Sequence, residues 1–296
     1  MTHVPVLLEE VLQFFSPFVG GKFIDATVGY GGHTFTILER IPGSRVLGID
    51  ADAGALAFVE EERKRRGLSE ERLVLAQANF RTLATVANAQ GYNGAQGILF
   101  DLGISSGELG EAKRGFSFQR EGPLDMRFDV REGKMAADIV NQWPADALET
   151  IIRTYGEERH ARRIVHAIVA ERTARPFTTT LALAECIAKV PGIRQGRLHP
   201  ATKTFQALRI VVNDELDALR DVLPEAIATL AVGGRLAVIA FHSLEDRIVK
   251  EFLKKESRIE KRVALLAKHV VKPTRAETLV NPRSRSAHLR IAEKIQ

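Results

Sequence analysis

Short apolar runs alternate with helix-like stretches through the first hundred residues, the pattern of consecutive parallel βα units. Lys22–Thr27 is predicted as a strand ending in a glycine turn, with a helix over Gly32–Arg40. Arg45–Ile49 is predicted as a second strand, closed by Asp50, before a helix over Ala53–Arg66. Arg72–Ala76 follows as a third strand, with a helix near Thr82–Ala89, and Gln96–Phe100 as a fourth that ends at Asp101. Four such repeats argue for a doubly wound open sheet.

The pattern breaks after Asp101. Residues 103–135 are rich in Gly, Ser and charge, and residues 136–212 hold only helical patterns, at Ala147–Tyr155, Glu158–Arg172, Thr180–Ala188 and Thr202–Val212. A helix over Asp214–Leu230 is expected to end at Gly233-Gly234, followed by a fifth strand at Arg235–Phe241, a helix at Leu244–Lys255 and a last strand at Ala287–Glu293. The expected organisation is an α/β domain made of residues 1–135 and 213–296, with an inserted helical domain at 136–212.

Composition narrows the class. Hydrophobic residues make up 45% of the chain and charged ones 27%, as in ordinary globular proteins. No apolar run approaches bilayer length and the N-terminus lacks a signal-peptide pattern, so a membrane partner is not expected. Cys186 is the single cysteine, which excludes an internal disulfide and a four-cysteine zinc site and suits a cytoplasmic setting. Charge is unevenly spread: residues 1–150 hold 15 Lys and Arg against 21 Asp and Glu, residues 151–215 hold 11 against 6, and residues 250–296 hold 13 against 5. Two basic segments on an acidic body suggest surfaces for a polyanion, although such runs also serve as solvated faces.

The candidate chemistry lies at the first predicted strand end, in Asp25-Ala-Thr-Val-Gly-Tyr-Gly-Gly-His33. Glycines let the backbone turn tightly beside a ligand, and the following helix start offers free amide donors. Asp50 falls 19 residues after Gly31 at the second strand end, where a carboxylate accepts ribose hydroxyl protons. Thr34 takes the place of the third glycine in G-x-G-x-x-G, which counts against a nicotinamide or flavin dinucleotide. S-adenosylmethionine (SAM) carries no phosphate and needs carboxylate and amide partners, so the site reads as one for SAM. Asp25 is expected to serve the amino-acid end of the ligand, directly or through water. Asn79-Phe80, beyond the third strand, either flanks an adenine ring or packs in the core. Asp101 ends another strand on the same sheet edge. His33 suits a helix start, and with no second ligand at metal spacing no metal is expected.

Further blocks carry a family resemblance. They include His3-Val-Pro-Val-Leu-Leu, Asp25-x-Thr-x-Gly-x-Gly-Gly-His33, Asp101-Leu-Gly-Ile-Ser-Ser106 and Arg114-Gly-Phe-Ser-Phe118. Gly122-Pro-Leu-Asp-Met-Arg127, Tyr155-Gly-Glu-Glu158, His199-Pro-Ala-Thr-Lys-Thr-Phe-Gln-Ala-Leu-Arg209, Phe241-His-Ser-Leu-Glu-Asp-Arg247 and Asn281-Pro-Arg-Ser-Arg-Ser286 follow in order. Together they resemble the MraW (RsmH) family of bacterial 16S rRNA cytosine-N4 methyltransferases over nearly the whole chain. The resemblance implies a Rossmann-like class I SAM-dependent methyltransferase domain with an inserted all-helical domain for RNA recognition. It implies N4-methylation of a cytosine at the decoding site, with 16S rRNA, free or within the small ribosomal subunit, as partner. The implied SAM contacts are Gly31, Gly32, His33, Asp50, Phe80 and Asp101. A further family contact is a Gln after Ser-Ser-Pro; here the segment is Ser105-Ser-Gly-Glu108, and Glu108 can accept a hydrogen bond but not donate as an amide does.

Asp101 is also the candidate catalytic acceptor for the cytosine amine. A target base must leave its stack to be methylated. Phe116 and Phe118 either stack on it or anchor their loop, while Arg159, Arg162, Arg163, Arg283 and Arg285 are candidate phosphate contacts. His242-Ser243 lacks the G-x-S-x-G surround of a hydrolase nucleophile, so Phe241–Arg247 is expected to be structural or RNA-orienting. A non-catalytic rRNA-binding assembly factor and a nicotinamide-dependent oxidoreductase are the alternatives; the latter lacks both the third glycine and a Tyr-x-x-x-Lys pair. The sequence leaves oligomeric state open, a homodimer included.

Overall fold

The computed structural model describes residues 5–103, 114–193 and 199–296. The chain forms two compact units, one from residues 1–103 with 216–296 and the other from residues 104–215.

The first unit is built on a seven-stranded sheet. Its strands are β1 (Lys22–Asp25), β2 (Arg45–Asp50), β3 (Leu73–Gln77), β4 (Ala95–Asp101), β5 (Leu230–Ala240), β6 (Val263–Leu265) and β7 (His288–Lys294). They lie in the order β3-β2-β1-β4-β5-β7-β6, parallel through β5, with β7 antiparallel to both β5 and β6. The helices of this unit are α1 (Leu8–Phe15), α2 (Gly32–Arg40), α3 (Ala53–Arg65), α4 (Leu83–Ala89), α10 (Glu215–Thr229), α11 (Ser243–Arg258) and α12 (Arg275–Val280). The near-continuous apolar runs of β1, β2, β4 and β5 follow from burial on both sheet faces. Ile24, Leu47, Ile98 and Val238 belong to one core cluster, Phe23, Val46, Leu99 and Ala237 to another.

Gly233 and Gly234 do not terminate a helix as expected. They lie inside β5, where pairing with β4 jumps from Ala95–Leu230 to Gly97–Arg235, and Gly234 closes on the Ala95 carbonyl, where a side chain would clash. The glycines accommodate an irregularity in the strand rather than a helix cap.

The second unit contains α5 (Ala136–Gln142), α6 (Ala145–Thr154), α7 (Ala161–Ala174), α8 (Thr180–Ala188) and α9 (Thr202–Asn213). Its first boundary is earlier than the expected 135/136. Residues 114–135 lack periodicity, yet Phe116, Leu124 and Met126 are buried in the same cluster as the helices. Backbone bonds tie this segment to them: Leu124 N–H donates to Thr178, Thr180 to Gly122, and Ala137 to Leu124. The second boundary, expected at 212/213, lies at 215/216 because Asn213 and Glu215 bond back into this unit. Asn213 donates to the Met126 carbonyl and accepts from Phe128 N–H, and Arg209 makes a two-armed contact of 2.8 Å per arm with Glu215.

Candidate active site

Three neighbouring strands, β2, β1 and β4, each end in an aspartate: Asp50, Asp25 and Asp101. This edge is where open α/β sheets bind ligands, at the point where strand order reverses. The glycine turn connects β1 to α2 beside them. Gly31 has φ +78°, and a Cβ there would meet the Phe35 ring at 2.6 Å, so only glycine fits this step into the helix.

The turn is held by its own side chains. Asp25 is 2% exposed; its carboxylate accepts from the Thr34 hydroxyl at 2.7 Å and from Thr27 N–H at 3.3 Å. Burial pushes the Asp25 carboxyl above its ordinary range, opposed by the Thr34 hydroxyl and by nearby His33. These two bonds, one on each oxygen, tie Asp25 to the turn and fix it. Thr34, conspicuous in the sequence as a missing glycine, is the donor that satisfies it. The Thr27 hydroxyl in turn accepts Asp101 N–H at 2.6 Å, locking the end of β4 to the turn. Neither threonine role is legible from spacing.

Asp50 is partly exposed, accepting from Gly29 N–H at 2.8 Å and from Asp52 N–H at 2.9 Å. Each oxygen keeps a second lone pair for a ligand hydroxyl. Burial raises its carboxyl to about 6, against the pull of the two amide donors. His33, 6% exposed, and Asp101, 19% exposed, lie 3.6 Å apart from Nε2 to Oδ2. Both ring nitrogens of His33 and Oδ1 of Asp101 are buried without a hydrogen-bond partner among the described residues. Phe80 packs edge-on against Phe100 with centroids 5.9 Å apart and remains partly exposed, while Asn79 caps the short turn after β3 by accepting from Arg81 N–H. Gly31, Gly32, His33, Asp50, Phe80 and Asp101 thus gather at one sheet edge; Glu108 lies outside the described residues.

The Phe241–Arg247 block completes the local frame as a helix start. Glu245 accepts from Phe241 and His242 N–H, the His242 ring accepts from Glu245 N–H, and Asp246 forks onto Arg290. The Phe241 ring presses on Gly103, where a Cβ would approach to 2.7 Å. Of the alternatives for His242, the structural one fits this capping box.

Within the helical unit, Phe116 is buried and stacks on Phe128, and Phe118 stacks on His199 and meets Phe205 edge-on. Both rings anchor their segment. Arg162 and Arg163 occupy the first turn of α7, Arg159 precedes it, and Arg283 and Arg285 lie on the short turn Pro282–Ser286 before β7.

No helix of the described residues is long and apolar enough to cross a membrane. The family model described as the MraW methylase family matches residues 1–295. A protein of Thermomicrobium roseum named ribosomal RNA small subunit methyltransferase H is 49% identical, over 99% of this chain and 94% of its own length. One of the same name from Coxiella burnetii is 44% identical over 99% of each. A solved rRNA methylase from Streptococcus thermophilus aligns over 100% of both chains at 12% identity, with a TM-score of 0.44. With the match running through the glycine turn, the three strand-end aspartates and the blocks of the helical unit alike, the chain belongs to the MraW methylase family, and its fold is that of the class I SAM-dependent methyltransferases.

Proposed function

We propose that this protein methylates the exocyclic N4 amine of a cytosine in the decoding region of 16S rRNA, with SAM as donor. The observation that carries the reading is the cluster of unsatisfied buried polar atoms beside the glycine turn: His33 and Asp101 hold atoms that solvent does not reach and no group among the described residues bonds. Such atoms cost stability unless a ligand satisfies them. The edge fits SAM, because Asp50 keeps lone pairs for two ribose hydroxyls and the start of α2 offers the Gly32 amide without a phosphate cradle, the Gly31 amide being bonded to the Val28 carbonyl. Phe80 offers a ring face for the adenine, and His33 completes the cofactor set. Glu108 takes the remaining family position.

Bound SAM supplies an electrophilic methyl group. The cytosine amine is a weak nucleophile because its lone pair is delocalised into the ring, so the protein must orient it and accept an N–H hydrogen bond that favours a pyramidal nitrogen. We assign that role to Asp101, whose backbone is pinned by Thr27 and whose Oδ1 has no competing partner among the described residues. The relatives' name supports small-subunit rRNA as substrate. The helical unit is assigned to holding it.

Mass mapping of methylcytosine in rRNA from cells lacking the protein tests the reading directly. Loss of one N4-methylcytosine, restored by the purified protein with SAM, is expected; an unchanged map would overturn it. Titration calorimetry with SAM and with NADH addresses the oxidoreductase alternative, which Thr34 disfavours by standing where the dinucleotide fingerprint has its third glycine. An assembly factor without catalysis would bind SAM and rRNA but leave the map unchanged.

A further inference from the structure

The helical unit contains, within itself, a pocket of about 800 Å³ between α7 and the end of α8. That volume is in the range of small-ligand sites. Arg162, Arg163 and His166 line it from one side; Lys189, Val190 and Pro191 line it from the other. Three other arginines of the unit are engaged: Arg153 with Glu149, Arg209 with Glu215, Arg172 with the Val140 carbonyl. Arg162, Arg163 and Lys189 form no ion pair among the described residues, although all three are exposed and share one pocket.

The lining of the pocket favours an anionic occupant with an apolar face. Gly192, at φ +82°, lets the Arg163 guanidinium lie against the turn after α8; a Cβ there would come within 2.8 Å of it. Ala167, Val190 and Pro191 supply an apolar wall. Glu171, the one carboxylate of the lining, borders the buried Cys186, whose thiol is pushed up to about 12 by burial and by that carboxylate. Arg162, Arg163 and Lys189 stand against that single carboxylate, so the net charge of the lining is positive.

We propose that this pocket is a second RNA contact of the protein, gripping an unpaired nucleotide whose phosphates lie on Arg162, Arg163 and Lys189 and whose sugar or base lies on the apolar wall. Planar guanidiniums match phosphate oxygens in pairs and also stack on bases, a combination suited to single-stranded RNA. An acidic peptide would use the cations but offers no flat group for the wall. The proposal rests on the reading that the substrate is RNA, and it adds a place on the helical unit where the strand is held.

The test is binding of a fluorescein-labelled single-stranded RNA to the full chain without SAM, by anisotropy across a salt series. The variants are Arg162→Glu/Arg163→Glu and the charge-retaining Arg162→Lys/Arg163→Lys. The double glutamate is expected to weaken binding about tenfold or more near 0.1 M salt and to flatten the salt slope by about 1.4, the value for two lost single-strand phosphate contacts. The double lysine is expected to keep most of the affinity, and SAM affinity by calorimetry to stay unchanged in both. Wild-type binding by the double glutamate would overturn the proposal. So would a double lysine that loses as much as the glutamates together with melting temperature, which would assign the loss to packing. Displacement of the RNA by poly-glutamate as readily as by unlabelled RNA would overturn it in favour of an acidic protein partner, and equal affinity for a free mononucleotide and for the strand would make the pocket a metabolite site instead. Because binding is read without methyl transfer, its failure is distinct from failure of rRNA methylation by the wild-type protein.

Discussion

The imidazole of His33 and the carboxylate of Asp101 face each other across 3.6 Å at the ends of neighbouring elements, one at the start of α2 and the other at the end of β4. Both are largely buried, and both ring nitrogens of His33 and Asp101 Oδ1 lack a hydrogen-bond partner among the described residues. Buried polar groups in native proteins are nearly always hydrogen-bonded, so such atoms call for a functional or solvent partner. The pair is where we propose that cofactor and substrate meet this chain.

Asp101→Asn is therefore expected to lower turnover on rRNA by about 10²-fold or more while the protein stays folded, because the amide cannot act as an anionic acceptor for the cytosine amine. Single-turnover methyl transfer with saturating SAM reads this. Undiminished turnover together with normal SAM affinity would remove Asp101 from the catalytic role.

Asp50 predicts a pH dependence with opposite signs for binding and for folding. Burial raises its carboxyl from 3.8 to about 6, so the fold favours the protonated form. Its contribution to stability is then complete below the unfolded value and is lost as pH rises through about 6. SAM, offering hydroxyl donors, selects the ionised form, so affinity should rise about tenfold per pH unit up to that point and level off above it. Calorimetry from about pH 5 to about pH 8, a span that brackets this titration, checks the curve. Asp50→Asn should bind weakly with no such slope.

Thr34→Val should cost about 1–3 kcal/mol in urea unfolding, since it keeps the shape but leaves the buried Asp25 carboxylate to the long Thr27 amide contact. Thr34→Gly, which would complete the dinucleotide spacing, should lose the same bond and gain no NADH binding. Detectable NADH affinity in that variant would show that the fingerprint alone, rather than the Asp25 bond, decides the cofactor.

Gly31→Ala should be damaging beyond its backbone strain. The left-handed conformation alone costs about 1–2 kcal/mol, and the new methyl would press on the Phe35 ring at 2.6 Å. Gly20→Ala is the control: it has a similar φ of +72° but nothing within 4 Å. Gly31→Ala should lose more stability than Gly20→Ala, with weakened SAM binding in the first variant only. Equal losses in both would mean that packing around Gly31 yields freely.

The order of parallel βα units is written in the chain's own pattern, because doubly buried strands and one-sided helices leave different apolar periods along it. The extent of α2, from about Gly32 to Arg40, was legible, and Asp50 and Asp101 were legible as strand-end acids. The glycine turn likewise pointed to a nucleoside-type cofactor through spacing alone. Local pattern was silent where structure depends on partners far away in sequence. Residues 114–135 belong with the helices because their backbone bonds and apolar side chains meet residues such as Thr178 and Phe177, which no period predicts. Gly233-Gly234 looked like a helix end and proved to be a strand irregularity because the Ala95 carbonyl approaches there. Folding also decided which side chains serve the turn and which remain for a ligand: Thr27 and Thr34 satisfy Asp101 N–H and Asp25, leaving His33 and Asp101 Oδ1 unsatisfied among the described residues. Periodicity records which face of an element is buried, whereas hydrogen-bond satisfaction depends on distances between elements, and those exist only once the chain has folded.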